Sequence, residues 1–177
     1  GEPVTDAHIL REAVSFFAFS AAETLRGEGS AACKLHLFIT TNPFGMEPRY
    51  ANAASFRFDT PTCHTTEITG MALACLERIY AGGYAYKKAG VVLTDLVDSS
   101  YTQGHLFSDT RDHREGSLMK TIDRINLELG KETVFTASMG IGGRRSWGMR
   151  RGHLSPRYTT HWDELPAALP PGEASRP

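Results

Sequence analysis

The sequence has no long hydrophobic run, and no segment reaches the roughly 20 consecutive apolar residues that a bilayer-spanning helix needs. It also shows no signal-peptide pattern at its N-terminus, and the two absences together predict a cytoplasmic protein without a membrane partner. Cysteine is scarce. The three thiols, Cys33, Cys63 and Cys75, are odd in number and show no C-x-x-C spacing, which argues against a disulfide framework or a structural zinc site. Among the seven histidines, His8, His36, His64, His105, His113, His153 and His161, no H-x-H or H-E-x-x-H pattern occurs, and Cys63-His64 is merely an adjacent pair. No nucleophile–base pair and no paired acid–base carboxylates stand out, so nothing points to an independent small-molecule enzyme.

Net charge is nearly absent too, at −1, which taken alone argues against nucleic acid. The distribution reads differently. No acidic residue lies between Glu132 and Asp163, whereas Arg144, Arg145, Arg150, Arg151 and Arg157 do. In the first part of the chain Glu12, Glu23, Glu67 and Glu77 fall on predicted helices, while Lys34, Arg57, Lys87 and Lys88 fall on predicted strands. The two signs are segregated onto different faces.

What is present is a clear alternation of periods. Ile9, Leu10, Ala13, Val14, Phe16, Phe17, Ala21 and Leu25 recur at helical spacing, so residues 5–26 read as a helix that Thr5 or Asp6 caps and Gly27 and Gly29 end. From Cys33 to Thr40 the period becomes two: Cys33, Leu35, Leu37 and Ile39 point one way, and Lys34, His36, Phe38 and Thr40 the other. A second strand is predicted from Tyr50 to Phe58, with Ala54, Phe56 and Phe58 inward. A second helix follows Pro61, capped by Thr65 or Thr66 and carried by Ile68, Met71, Ala72, Cys75, Leu76 and Ile79; a third strand covers Tyr86 to Leu96. Two one-striped helices and three two-faced strands predict an α+β fold: an antiparallel sheet with both helices on one face and the other face open.

The 177 residues divide into a first unit, 1–97, a flexible linker, 98–116, a small second unit, 117–166, and a disordered tail, 167–177. In the second unit a helix from about Ser117 uses Leu118, Met119, Ile122, Ile125 and Leu129, and a short strand is predicted over 133–137, making this a small α+β unit as well. About fifty residues with one amphipathic helix are marginal alone, so this piece is expected to dock on a neighbour. Trp147 and Trp162 read as its core. The linker is polar and acidic but holds an isolated apolar pair, Leu106-Phe107, three residues after Gln103.

The stretches T-N-P-F (41–44), Y-K-K-A-G-V (86–91), Q-G-H-L-F (103–107) and L-S-P-R-Y-T-T-H-W-D-E-L-P (154–166) carry a family likeness. In this order and spacing they resemble the C-terminal part of the UmuC-type Y-family translesion DNA polymerases, their little finger domain plus C-terminal domain. The likeness covers nearly the whole chain. It implies an error-prone, SOS-type lesion-bypass polymerase in the bacterial cytoplasm, associated with the nucleoid. The first unit would grip template-primer duplex DNA, and Gln103, Leu106 and Phe107 would hook onto the β sliding clamp. The Arg-rich second unit would contact DNA or a protein partner, for which the resemblance offers a UmuD-type accessory dimer and the recombinase filament.

The same likeness implies that the catalytic palm, with its Mg²⁺-binding carboxylates, would lie before Gly1, leaving this chain without cofactor and unable to catalyse by itself. In the family's β-α-β-β-α-β order a strand precedes the first helix and lies centrally. Its absence here would leave the 86–96 strand without its usual neighbour, unless the strands pair differently. On the open face, Lys34, Arg57, Lys87 and Lys88 fit phosphate contacts, with neutral hydrogen bonds from Thr40, Ser55 and Thr94; Val92 stands where family members often carry Arg. The alternative is a protein-interaction module that has lost DNA affinity and docks clamp or accessory subunits only.

Overall fold

Helix formation starts where Asp6 takes an extended backbone and its carboxylate accepts the His8 N–H at 2.7 Å. The helix that follows, α1 (Ala7–Gly27), buries Leu10, Val14, Ala18, Ala22 and Leu25 along one stripe. Gly29, at φ +66°, turns the chain into β1 (Ser30–Thr41). Then come β2 (Ala51–Thr62), α2 (Thr65–Ile79) and β3 (Tyr86–Asp98). The computed structural model describes residues 2–101, 111–141, 145, 147–148, 155–159 and 161–165. Gln103, Leu106, Phe107, Arg144, Arg150 and Arg151 therefore lie outside the described residues, as does the tail.

The three strands form one antiparallel sheet in the order β2-β1-β3. Leu35, Leu37 and Ile39 of β1 point to the helix side and are fully buried with Val14 of α1 and Ile68 of α2. Each such side chain contributes roughly 1.5–3 kcal/mol by leaving water. Four tyrosines close one end of this core: Tyr86 stacks near Tyr50 and Tyr80, and Tyr50 near Tyr84. The Tyr86 hydroxyl donates to the Ala81 carbonyl and accepts the Ala81 N–H, while burial pushes its pKa up.

Of the two arrangements left open for the 86–96 strand, the structure has the one in which the strands of this chain pair among themselves: β3 takes β1 as its neighbour, from Ser30↔Asp98 to Thr41↔Tyr86. The central β1, apolar on one face and mostly polar on the other, takes a neighbour on each edge. On the outer edge of β3, Val4 forms a single antiparallel bridge to Tyr86, with both N–H···O distances 2.8 Å.

The second unit differs more from its sequence reading. Its helix, α3 (Arg111–Leu129), begins at Arg111 instead of near Ser117. The strand predicted over 133–137 is absent, and no strand occurs among the described residues of this unit. The reason is local: the buried Asn126 side chain donates to the Val134 carbonyl (3.0 Å) and accepts its N–H (2.8 Å), taking both groups a ladder would use. A 3-10 helix, Ala137–Met139, follows.

This unit docks on the first, as its size requires. Arg26 of α1 forms a two-pronged pair with Asp123 of α3 (2.6 and 2.8 Å) and donates to the Cys63 carbonyl and Thr65 Oγ1 at the start of α2. Met139 is buried outside the sheet core. Trp147 packs on Phe16 and Phe17 at 5.2 and 5.6 Å between ring centres. Gly140, at φ +87°, lies so close to Glu12 of α1 that a Cβ would fall 2.7 Å from its carboxyl carbon. Neither tryptophan forms a core of the second unit's own: Trp147 is half-buried against α1 of the first unit, and Trp162 is 87 % exposed.

Candidate nucleic-acid interface

Cross-strand partners in a sheet point to the same side, so the register defines the open face row by row. Across β2-β1-β3 the rows are Arg57–Lys34–Thr94, Ser55–His36–Val92, Ala53–Phe38–Gly90 and Ala51–Thr40–Lys88. All of them lie on the side away from Leu35, Leu37 and Ile39. Arg57 and Lys34 therefore occupy one end of the face and Lys88 the other, six residues along β1, which is roughly 20 Å at strand rise. Lys87 stands apart. It falls at the register shift between the Thr40↔Lys88 and Thr41↔Tyr86 pairs and is exposed.

The middle of the face is shaped by side-chain contacts that the sequence alone does not show. His36 Nδ1 and Ser55 Oγ lie 2.8 Å apart and tie β1 to β2. The Phe38 ring lies across Gly90, where a Cβ would stand only 2.4 Å from Cζ, so glycine is required for the ring to rest there. Lys34 is not a free cation: its Nζ lies 3.2 Å from Asp95 Oδ2. Thr40 directs its hydroxyl to the Thr41 carbonyl at 3.1 Å. The signal for Asp95 was present in the sequence, an acidic residue interrupting the apolar run L-T-D-L-V.

Two of the five arginines of the acid-free stretch are described, and both are engaged internally. Arg145 lies over the Phe16 ring (4.6 Å) and the Trp147 ring (5.3 Å) and pairs with Glu132 at 2.7 Å. Arg157 forks onto Glu164, whose carboxyl is held below its ordinary pKa by the hydrogen bonds Arg157 donates from its side chain and backbone. Their charge serves the packing of the second unit. Elsewhere in this unit several large apolar side chains face water, among them Leu118, Leu129 and Trp162.

A family model described as the impB/mucB/samB family C-terminal domain matches residues 1–106, and one described as a domain of unknown function (DUF4113) matches residues 116–168. Protein UmuC of Salmonella typhimurium is 40 % identical over 168 residues, 93 % of this chain and 39 % of that protein. Protein SamB of Salmonella typhimurium is 39 % identical over 170 residues, 95 % of this chain and 39 % of its own length. Protein MucB of Escherichia coli is 37 % identical over 168 residues, 94 % and 38 % respectively. The chain thus spans about two-fifths of the length of these curated relatives.

Proposed function

Because the chain belongs to the impB/mucB/samB family, as the C-terminal part of a UmuC-like protein, we propose that it is the duplex-gripping and clamp-tethering region of an error-prone lesion-bypass DNA polymerase. The observation that carries this reading is the segregation of the sheet. One face is sealed by α1 and α2, and the other presents Arg57, Lys34 and Lys88 among Ser55, Thr94 and Thr40. Cations and hydroxyls on a broad, shallow face suit phosphates, which anchor a protein without reading sequence. A polymerase that must follow any template needs that kind of grip. Catalysis would rest with a Mg²⁺-dependent palm elsewhere in the parent protein.

The test is a salt titration of duplex binding. Replacing Lys34, Arg57 and Lys88 by Ala should weaken binding about equally for unrelated sequences and flatten the salt dependence by roughly 0.9 in slope per lost phosphate contact. An unchanged slope sinks the reading. The fold should survive, since such surface changes usually shift stability by no more than about 0.5 kcal/mol.

The linker would supply the tether. Leu106 and Phe107, set among Asp98, Ser99, Ser100, Asp109 and Asp112, would enter a preformed apolar pocket on the β sliding clamp while Gln103 fixes the register. Leu106→Ala with Phe107→Ala should abolish clamp binding in a pull-down and leave thermal stability and duplex affinity unchanged. A lower melting temperature with clamp binding intact would instead assign the pair to the protein's own core. The exposed Leu118, Leu129 and Trp162 favour protein docking for the second unit. A UmuD-type dimer or a recombinase filament are the candidate partners, in a nucleoid-associated setting.

A further inference from the structure

Asp95 breaks the pattern of the strand it stands in. Opposite Cys33 and between the Lys34↔Thr94 and Ala32↔Leu96 pairs, strict alternation would send it to the helix-covered side. Instead its backbone takes φ +56°, a conformation that L residues adopt at a cost and that is rare inside a strand. Its carboxylate stands 3.2 Å from Lys34 Nζ on the open face. The side chains are 39 % and 51 % exposed, so the pair is solvated and readily exchanged. A pair of this kind contributes too little to folding to explain why an acidic residue with a left-handed backbone stands inside an edge strand.

We infer that Asp95 is a built-in competitor for the phosphate that Lys34 would otherwise hold, an internal counter-charge that weakens the grip of the open face and makes it readily reversible. The inference rests on the duplex-gripping reading. Asp95 Oδ2 occupies the place a phosphate oxygen would take beside the ammonium, and a backbone phosphate arriving there meets a like charge. Lys34 must release one anion to take the other. The net number of counterions released on binding, and with it the salt dependence, is lowered by about one contact.

The experiment uses the full 177-residue chain with a fluorescent duplex oligonucleotide, titrated at several salt concentrations, in the wild type, Asp95→Asn, Lys34→Ala and the double variant. Asn tolerates the left-handed backbone, so Asp95→Asn should fold with an unchanged melting temperature. It should bind roughly five- to tenfold more tightly near 0.1 M salt, with a salt slope steeper by about 0.9. In the Lys34→Ala background the same substitution should have little effect, because the partner it frees is gone. Wild-type binding that Asp95→Asn leaves unaltered overturns the inference and spares the duplex reading. An equal gain with and without Lys34 also overturns it, since Asp95 would then act only as general negative charge. Absence of duplex binding in both the wild type and Asp95→Asn overturns both readings together.

Discussion

The sheet unit and the unit built on α3 are buried in different ways. In the first, Leu35, Leu37, Ile39, Val14 and Ile68 exclude water from one another, and the buried members of the core lie within residues 4–86, with Ala89, Val91 and Leu93 of β3 packed against them. In the second, Met139 and Trp147 are covered by meeting α1, and α3 leaves Leu118 and Leu129 in water. One helix serves both. Its narrow stripe of Leu10, Val14, Ala18, Ala22 and Leu25 faces the sheet, and its extra apolar side chains Phe16 and Phe17 receive the second unit. The domain of unknown function is therefore a rider on the helix layer of its neighbour, turned away from the face we assign to DNA.

The comparison breaks most forcefully at the shared foundation. Leu37→Ala empties a fully buried position and should cost roughly 2–5 kcal/mol, with the loss of α1's seat releasing both units in one urea transition. If the second unit kept its amide protection after the sheet had unfolded, it would be independent and the rider description wrong. Arg26→Lys makes a sharper cut, because an ammonium cannot reproduce a fork onto Asp123 together with bonds to Cys63 and Thr65. We expect a loss of roughly 1.5–3 kcal/mol, seen as faster hydrogen exchange in α3 with β1 and β3 unaffected. Equal acceleration in the sheet would mean that the two units form one cooperative body.

The smallest effect concerns acid. The Glu164 carboxyl is lowered below its ordinary value of 4.5 by hydrogen bonds from Arg157, so the ionised form is favoured in the folded chain. Its stabilisation is then fully present above the ordinary carboxylate range and lost as pH falls through the depressed value. Exchange of the amides at 155–159 and 161–165 should quicken over that window, and more so than in Glu164→Gln, while sheet amides stay flat. A matching change in the sheet would again merge the two regions.

The same contrast governs what was legible in the sequence. Period-two alternation from Leu35 to Ile39 and helical spacing in α1 and α2 come from burial in a self-contained core, so both element types and the open face could be read directly. Partner choice among strands could not. Pairing of β3 with β1 is a long-range outcome, and alternation constrains faces without naming neighbours. In the second unit the pattern misled because the covering surface belongs to another element: Leu118 and Leu129 look like core yet face water, while polar Asn126 is buried. In the open face the cations were legible by type, but Asp95 over Lys34, His36 beside Ser55 and Phe38 across Gly90 depend on register and on one positive φ.

The two tryptophans give this molecule an optical consequence. Trp147 lies edge-on among Phe16 and Phe17, with an indole N–H that is buried and finds no acceptor among the described residues, while Trp162 stands in water. Intrinsic emission should therefore contain a blue, quencher-resistant component and a red, acrylamide-sensitive one. Separation of the rider from α1 would convert the first into the second without any added dye, so the chain reports its own docking as a colour.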